Sequence, residues 1–524
     1  MSITLRPYQA TGVVDIRNAC RTQRRVLYVL PTGGGKTVMF TYLSEQAAKK
    51  GNSVWICVNR KFLVAQTCKA LDLIGVPHGT IEAGKGMDFS YRVQVCSIDT
   101  LSRRVGRLPV TPDIIIIDEA HHTPAKTWNH LCQNIGAKLF IGFTATPERL
   151  DGKGLNQNFE MMVRGPSTAD LMRLGYLSKC RYFAPGTVDM TSVRRLGGDF
   201  NRSESEAIVD KNVITGDAVE HYTRLAAGQP AIVFCVTIAH AKHVTDAFRS
   251  AGYAWDCLSS DLNATERAEI LHRFETGKTN GMCAVDMVSE GFDLPAVSVG
   301  IMLRPTNSLG MHLQQLGRIL RPVYSGGHDL NTQEGRLESM KNGSKPFAIL
   351  LDHVGNTARH GFAEFHREWS LVGGAMAAMK KKEGDPADRI AVCPSCFSAH
   401  MPAPKCPYCG HEYESRPHSM KQVEGELVAV DTDLSEGLGN SLSGKPFVPC
   451  VKCGKPHVEG VGACPHCGHN YEAARKTAIR IEQGSARDFE ALVAVGEKRG
   501  FTKKNAKVWA YHILKSRQKK KGMR

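Results

Sequence analysis

Residues 31–37 read PTGGGKT and follow directly on the apolar run VLYVL at 26–30. A strand that breaks into a glycine-rich turn and then hands over to a helix is the setting a phosphate-binding loop requires. Gly33, Gly34 and Gly35 let the backbone approach phosphate oxygens without a side-chain clash. The N–H groups at the helix start then face the anion. Thr32 belongs to the same loop, Lys36 is placed to reach the β- and γ-phosphates, and the Thr37 hydroxyl is placed to ligate Mg²⁺. The general pattern opens on glycine, whereas Leu30 stands there.

Such a loop has to sit on a parallel sheet, and the rest of the chain supplies one. Apolar runs recur at 53–58, 93–98, 113–117 and 138–143, with helically spaced stretches such as Phe62 to Ile74 between them. Strands alternating with helices predict a parallel sheet covered on both faces. The pattern restarts at 231–236 and runs through 281–285 and 298–303 to 346–351, so a second α/β domain is expected, with the joint near 160–205. Residues 325–345 are polar and turn-rich and read as a surface loop; residues 373–389 read as a linker.

The run DIIIIDEAHH occupies 113–122. Four isoleucines predict a buried strand, and at its end Asp118 is placed to hold Mg²⁺ and Glu119 to orient and deprotonate a water. In-line phosphoryl transfer depends on that pairing, because its catalysis is mostly positioning and charge stabilisation. Further on, Arg318 and Arg321 are three residues apart, which on a helix places them on one face.

Asp118-Glu119-Ala120-His121 is a DEAH box, and with PTGGGKT it resembles superfamily 2 helicases and translocases. The other motifs of that family have counterparts in order. LRPYQ (5–9) resembles the adenine-reading segment, with Gln9 and Arg6 as base contacts. NRKFLVAQ (59–66) resembles a strand-contacting motif, and TATP (144–147) the motif coupling nucleotide state to nucleic-acid grip. SEGFDLP (289–295) resembles the fifth motif, with Gly291 and Asp293 near the nucleotide. QQLGRILRP (314–322) resembles the sixth. The resemblance implies two RecA-like domains in tandem, at 1–165 and 166–372, that clamp ATP and Mg²⁺ between them. It implies catalytic roles for Lys36, Glu119, Arg318 and Arg321, and coupling roles for His121, Thr144, Thr146 and Gln314. Nucleic-acid contacts are expected from Arg60, Gln66, Ser97, Thr100, Thr237 and Ser289, mostly to phosphate and sugar.

Seventeen cysteines are present, eight of them in four CxxC pairs after residue 390. CPYCGHEYE (406–414) and CPHCGHNYE (464–472) repeat one another, and each follows another CxxC. Cys393, Cys396, Cys406 and Cys409, and then Cys450, Cys453, Cys464 and Cys467, predict two structural Zn²⁺ sites in zinc-knuckle modules at 388–414 and 446–472. Crossed pairing of the knuckles and a single zinc stay open. Four thiolates leave no open position for catalysis. The formal net charge is +16, and residues 476–524 form a basic helical tail ending in Lys519, Lys520 and Lys521, so a polyanionic partner is expected.

The zinc knuckles, with TATPERLDGKG and ILLDHVGN (349–356), resemble RadD-type bacterial and phage repair helicases. That narrower resemblance implies a role in DNA recombination or repair on single-stranded or branched DNA, with a single-strand-binding protein or recombinase as partner. A zinc-dependent annealing protein with ATP as a switch, the motor subunit of a restriction-like system, and an RNA helicase are the alternatives. The segment at 59–66 lacks the PTREL form of DEAD-box RNA helicases, which favours DNA. With no long apolar run and no leader-like start in MSITLRPYQA, no membrane association and a cytoplasmic location are expected.

Overall fold

The computed structural model describes residues 4–122, 125–149, 152–184, 188–196, 198–285, 297–375 and 386–413, together with 447–450, 456–458, 492–494 and three single positions, 497, 506 and 510. The chain forms two units, residues 1–416 and 417–524.

The first unit holds two large sheets. Strands β1 (Arg25–Val29), β2 (Val54–Val58), β3 (His78–Ile81), β4 (Val93–Ser97), β5 (Ile114–Ile117), β6 (Leu139–Thr144) and β7 (Met161–Arg164) form the first, in the order β3-β4-β2-β5-β6-β1-β7 and parallel throughout. Alternation along each strand sends neighbours to opposite faces. Tyr28, Ile56 and Ile116 enter one core, whereas Leu27, Trp55 and Ile115 enter the other. Both faces are therefore dry, which is why these strands read as unbroken apolar runs.

The second sheet begins with β8 (Cys180–Phe183). A short hairpin of β9 (Arg195–Leu196) and β10 (Asp199–Phe200) follows, then β11 (Ala231–Phe234), β12 (Trp255–Leu258), β13 (Gly281–Ala284), β14 (Val299–Met302) and β15 (Ala348–Asp352). Its order is β12-β13-β11-β14-β15-β8, all parallel. The joint between the sheets lies between β7 and β8, within the stretch that composition indicates.

Three sequence expectations need correction. The stretch 325–345 contains a helix, Gln333–Lys341, because the Thr332 side chain caps its first turn by accepting from Gly335 N–H, and Arg336 is buried against Leu174 O, Leu330 O and Asn331 O. The first cysteine module is not set apart by a linker. Its hairpin, β16 (Ala391–Val392) and β17 (Ser398–His400), pairs antiparallel with β8 and extends the second sheet to eight strands. Arg318 and Arg321 do not share a helix: Leu309–Ile319 ends before Arg321, as expected of the residue preceding Pro322, where the α conformation is disfavoured.

After the second sheet the chain returns to the first. Trp369 and Leu371 pack on the core that holds Trp128, Asn156 N–H donates to Leu371 O at 2.8 Å, and Ala375 N–H donates to Glu148 Oε1 at 2.5 Å. This strap fastens the two sheets together behind the TATP segment. In the second unit, β18 (Phe447–Pro449) and β19 (Pro456–Val458) form a hairpin leading into Cys450, the same relation β16 and β17 bear to Cys393.

Candidate ATP site and cysteine centre

The phosphate loop leaves β1 at Leu30, and the helix Lys36–Lys49 starts from Gly35 at φ 84°. Gly33 is also left-handed, at φ 85°. A Cβ on Gly35 would lie 2.4 Å from Gln9 Nε2, so the loop is closed against the N-terminal segment and only glycine fits. Gln9 Nε2 donates to Gly34 O at 3.2 Å, Tyr8 OH donates to the same carbonyl at 2.7 Å, and Arg6 N–H donates to Gln9 Oε1 at 3.0 Å. Gln9 thus holds the loop with the NH₂ end of its amide, while its oxygen is fixed by the Arg6 N–H. The Arg6 guanidinium lies 4.9 Å from the Tyr176 ring centroid, and Arg336 covers the same ring at 4.0 Å.

Lys36 and Glu119 are both buried and lie 3.4 Å apart. Glu119 has φ 46°, which is uncommon outside glycine, and its carbonyl accepts from Asn59 Nδ2 at 3.3 Å. Burial, and then the neighbouring Glu119 charge, push Asp118 well above the usual carboxylate range. Burial acts on Glu119 in the same sense but is outweighed by Lys36, with His121, His122 and Arg318 adding to the lysine, so Glu119 stays ionised. Of the two carboxylates, Glu119 is the ionised one, and it lies beside Lys36.

His121 is buried, and burial, then His122, hold its pKa well below the ordinary histidine value. The ring is therefore neutral and has one donor and one acceptor. Gln314 Nε2 lies 3.2 Å from His121 Nε2, and Thr144 Oγ1 lies 2.8 Å from Nδ1. Thr144 Oγ1 donates to Thr146 O at 2.8 Å. One consistent direction results: Gln314 N–H to His121, His121 N–H to Thr144, Thr144 O–H to Thr146 O. Gln314 belongs to the second sheet's helix Leu309–Ile319, so the path crosses from one domain to the other.

On that helix Arg318 is buried, and its charge lowers the pKa of both Asp118 and Glu119. Gly317 meets the loop directly, since a Cβ there would lie 2.3 Å from Thr32 Cβ. Arg321 Cγ comes within 3.8 Å of the position a Cβ on Gly33 would take. Thr32 Oγ1 and Thr146 Oγ1 are buried with no hydrogen-bond partner among the described residues. A glycine cradle, a buried lysine, two carboxylates and unsatisfied hydroxyls fit a nucleoside triphosphate with its magnesium. Lys36 and the loop N–H groups would hold the phosphates, and Thr37 and Asp118 the metal. Bound Mg²⁺ would supply neutralisation of phosphate charge; Glu119 is placed to act as base for a water, and Arg318 and Arg321 to add positive charge from the second sheet's side. Gly291 and Asp293 lie outside the described residues.

Expected strand contacts lie at the carboxyl ends of the strands. Arg60 follows β2 at the residue before the helix Lys61–Leu73, which carries Gln66; Ser97 ends β4, and Thr100 stands in the helix after it. Thr237 follows β11 and is engaged as a cap: its Oγ1 accepts from His240 N–H at 3.1 Å and donates to Glu206. Ser289 lies outside the described residues.

The first cysteine set converges. Its four Sγ atoms all lie within 4.8 Å of one another, with Cys393–Cys409 at 3.6 Å and Cys396–Cys406 at 3.7 Å. A tetrahedral Zn²⁺ with Zn–S of about 2.3 Å needs sulfurs about 3.8 Å apart, so the donors fit. Two matching turns build the centre. Phe397 N–H donates to Cys393 O at 2.8 Å, and Gly410 N–H to Cys406 O at 3.0 Å. Gly410 has φ 76°, and Phe397 accepts the same left-handed conformation at φ 60°. Burial raises the Cys393 thiol, but N–H groups of Cys396 and Ser395 overcome that and bring it to about 6, favouring thiolate. Of the second set only Cys450 is described, and it is buried; Cys453, Cys464 and Cys467 lie outside the described residues.

Sequence reading passed over Asn59, Tyr176 and Lys345. Asn59 stands inside a motif already singled out and was within reach; Tyr176, under Arg6 and Arg336, and Lys345, which donates to Ile319 O and Arg321 O, make tertiary contacts that carry no local signal.

Comparison with known proteins agrees with this geometry. The sequence family described as "Type III restriction enzyme, res subunit" matches residues 2–149, and "Helicase conserved C-terminal domain" matches residues 215–323. A 51.5 kDa protein of a Lactococcus phage is 28% identical over 410 residues, covering 77% of this chain and 82% of that protein. The Saccharomyces cerevisiae protein IRC3, assigned as an ATP-dependent helicase, is 28% identical over 346 residues, covering 62% of this chain and 50% of its own length. The DNA 3'-5' translocase XPB2 of Sulfurisphaera tokodaii is 27% identical, over 61% of this chain and 79% of that one. Among solved structures, a fragment assigned to the HsdR subunit of a type I restriction enzyme from Vibrio vulnificus has the same fold, with a TM-score of 0.52 at 18% identity, covering 68% of this chain and 66% of the fragment. No helix among the described residues is long and apolar enough to cross a membrane. With both helicase domains matched in order and the ATP site assembled between them, the chain belongs to helicase superfamily 2.

Proposed function

We propose that this protein is a DNA-stimulated ATPase that translocates on or unwinds DNA in recombination or repair, in the manner of RadD-type helicases. The supporting observation is the cross-domain path from Gln314 through His121 and Thr144 to Thr146, which ties the arginine-bearing helix to the DEAH box and the TATP segment. A site built that way hydrolyses ATP only when the two domains are closed, and a strand lying across both is what would favour closure. Lys36, Thr37, Asp118 and Glu119 work from one side, and Arg318 and Arg321 from the other, with domains at 1–165 and 166–372. Two structural Zn²⁺ ions, in knuckles at 388–414 and 446–472, and the basic segment 476–524 add grip on DNA. Single-stranded or branched DNA is the favoured substrate, and a single-strand-binding protein or recombinase the favoured protein partner. XPB2, a relative named as a DNA translocase, supports DNA over RNA.

The test is ATP turnover with single-stranded, duplex and forked DNA and with RNA, for wild type and Lys36→Ala. Stimulation by DNA that vanishes in the variant is expected. Equal rates with and without DNA, or preferential stimulation by RNA, overturns the reading. The restriction-family match at 2–149 favours a second reading, the motor subunit of a restriction-like system; DNA cleavage by a complex containing this chain with Mg²⁺ and ATP would establish it.

A further inference from the structure

The second sheet has an edge that the ATP site does not use. Thr237 and the nucleotide-facing loops leave the carboxyl ends of its strands, whereas the amino ends of β8 and β15 lie at the other end of the sheet, and β8 also pairs with β17 of the first cysteine module. Two hollows open there, of about 760 and 720 Å³, and they share Cys180, Glu364 and Tyr408 in their walls. Tyr408 stands between the ligand-type cysteines 406 and 409 and is 44% exposed. The Arg181 guanidinium lies 3.8 Å from the Phe347 ring centroid and 5.4 Å from that of Tyr408. In the neighbouring hollow Arg389 lies 4.4 Å from the Phe365 centroid.

We infer that this groove is a second nucleic-acid site, taking single-stranded DNA by stacking bases on Tyr408 and pairing phosphates with Arg181 and Arg389. The inference rests on the proposed DNA-dependent function and gives it a location. An exposed ring beside a guanidinium serves a ligand that is flat and anionic at once. Single strands present both features in alternation, because every base has a π-face and every linkage a charge. A duplex hides its base faces, and a free phosphate has no use for the rings. Lys179 and Arg173 add positive charge at the wall, in keeping with the chain's net +16. Glu364, also in the wall, accepts from Tyr182 OH at 2.8 Å, and burial raises its pKa, so its charge is muted toward an incoming strand. Because β17 is hydrogen-bonded to β8, the cysteine centre fixes Tyr408 against Arg181. The groove would hold a strand that extends beyond the channel across the two domains.

The experiment compares binding of labelled oligothymidylates, one short and one several times longer, without ATP, to wild type and to the double variant Arg181→Ala with Tyr408→Ala. Both side chains are exposed, so the fold tolerates their loss. The long oligonucleotide should bind about tenfold or more weakly, the scale of one lost base stack, while the short one and the ATPase rate it supports stay unchanged. Tyr408→Phe should bind as wild type. Equal affinity of the double variant and wild type for the long oligonucleotide overturns the site. So does loss of binding to a labelled acidic peptide with oligonucleotide binding intact, which assigns the groove to a protein partner. Absence of DNA-stimulated turnover in wild type would remove the proposed function instead, a result the binding assay reads separately.

Discussion

Gln314 Nε2 lies 3.2 Å from His121 Nε2, and this hydrogen bond joins the two domains at the ATP site. Because the ring is buried and neutral, its Nε2 needs a donor, and the glutamine amide supplies it. Gln314→Ala leaves that nitrogen unsatisfied, a cost of about 1–3 kcal/mol if borne by the closed state. ATP turnover at saturating DNA should therefore fall about 5- to 150-fold, with ATP affinity changed little. Gln314→Glu should do worse, since an acceptor would then face an acceptor. Steady-state kinetics of both variants checks the order.

Contact between Gly317 and Thr32 is a second handle on closure. A Cβ at Gly317 would lie 2.3 Å from Thr32 Cβ, so Gly317→Ala forces the helix and the phosphate loop apart. Overpacking of this kind costs about 1–3 kcal/mol. The variant should bind ATP through the first domain yet turn it over about 5- to 150-fold more slowly. Thr32→Ser, by removing the Thr32 methyl, should recover part of the rate in the double variant, because that methyl is the next nearest atom, at 2.6 Å.

Local rules account for what the sequence made legible. The phosphate loop, the acidic box and the strands at the apolar runs are short-range patterns, and they lie where spacing places them; β3, β7, β8 and β12 have no such run to announce them. Arg321 shows the limit. Its three-residue spacing from Arg318 suggested one helical face, but Pro322 ends the helix before it, so Arg321 approaches Gly33 from a turn. The cysteine module shows another limit. Ligand spacing revealed four donors, yet nothing local in Ser398–His400 announces a strand that will pair with β8, more than two hundred residues earlier. The helix Gln333–Lys341 was hidden by polar composition, and its support comes from Arg336 reaching distant carbonyls.

Acid should destabilise the fold in a defined window. Burial holds His121 and His312 well below the ordinary histidine value and brings His353 to about 3. The unfolded chain titrates these groups near about 6.5 and so binds more protons than the native state below that pH. Stability is then full above about pH 6.5 and falls as pH drops below it. Each such histidine contributes about 1.4 kcal/mol per pH unit until its folded pKa is reached. Melting temperature should decline from pH 6.5 to 5, with the Asp118 carboxyl, raised to about 7 by burial, offsetting part of the histidine contribution. His353→Phe should reduce that slope.

Removal of the metal should act locally. Cys393→Ser breaks the first thiolate set, whose turns carry β16 and β17 onto β8. Zinc content should drop by one equivalent relative to wild type. The hydrogen bonds from Ser398 and Ala399 to β8 should exchange faster, while those linking β1 to β6 stay protected. Hydrogen exchange with metal analysis on the same sample checks both.

Lys345 carries the last expectation. It is 1% exposed, and its ammonium donates to Val297 O and Ile319 O at 2.6 Å and to Arg321 O at 2.5 Å. Three donors meet three acceptors, which is the full capacity of the group. Ile319 ends the helix bearing Gln314 and Arg318, so the protonated amine also complements that helix terminus, although burial brings its pKa down to about 7. Arg321 is held by its own carbonyl, which fixes where its side chain begins. Lys345→Met fills the space and leaves three buried carbonyls unpaired, each costing about 1–3 kcal/mol before relaxation. The variant should melt several degrees lower. At temperatures where it stays folded, kcat should still fall about tenfold or more with ATP affinity nearly kept, a fraction of the roughly 10³–10⁵ associated with arginines delivered to phosphate. Unchanged kcat in the folded variant would show that Lys345 supports the fold without positioning the arginines.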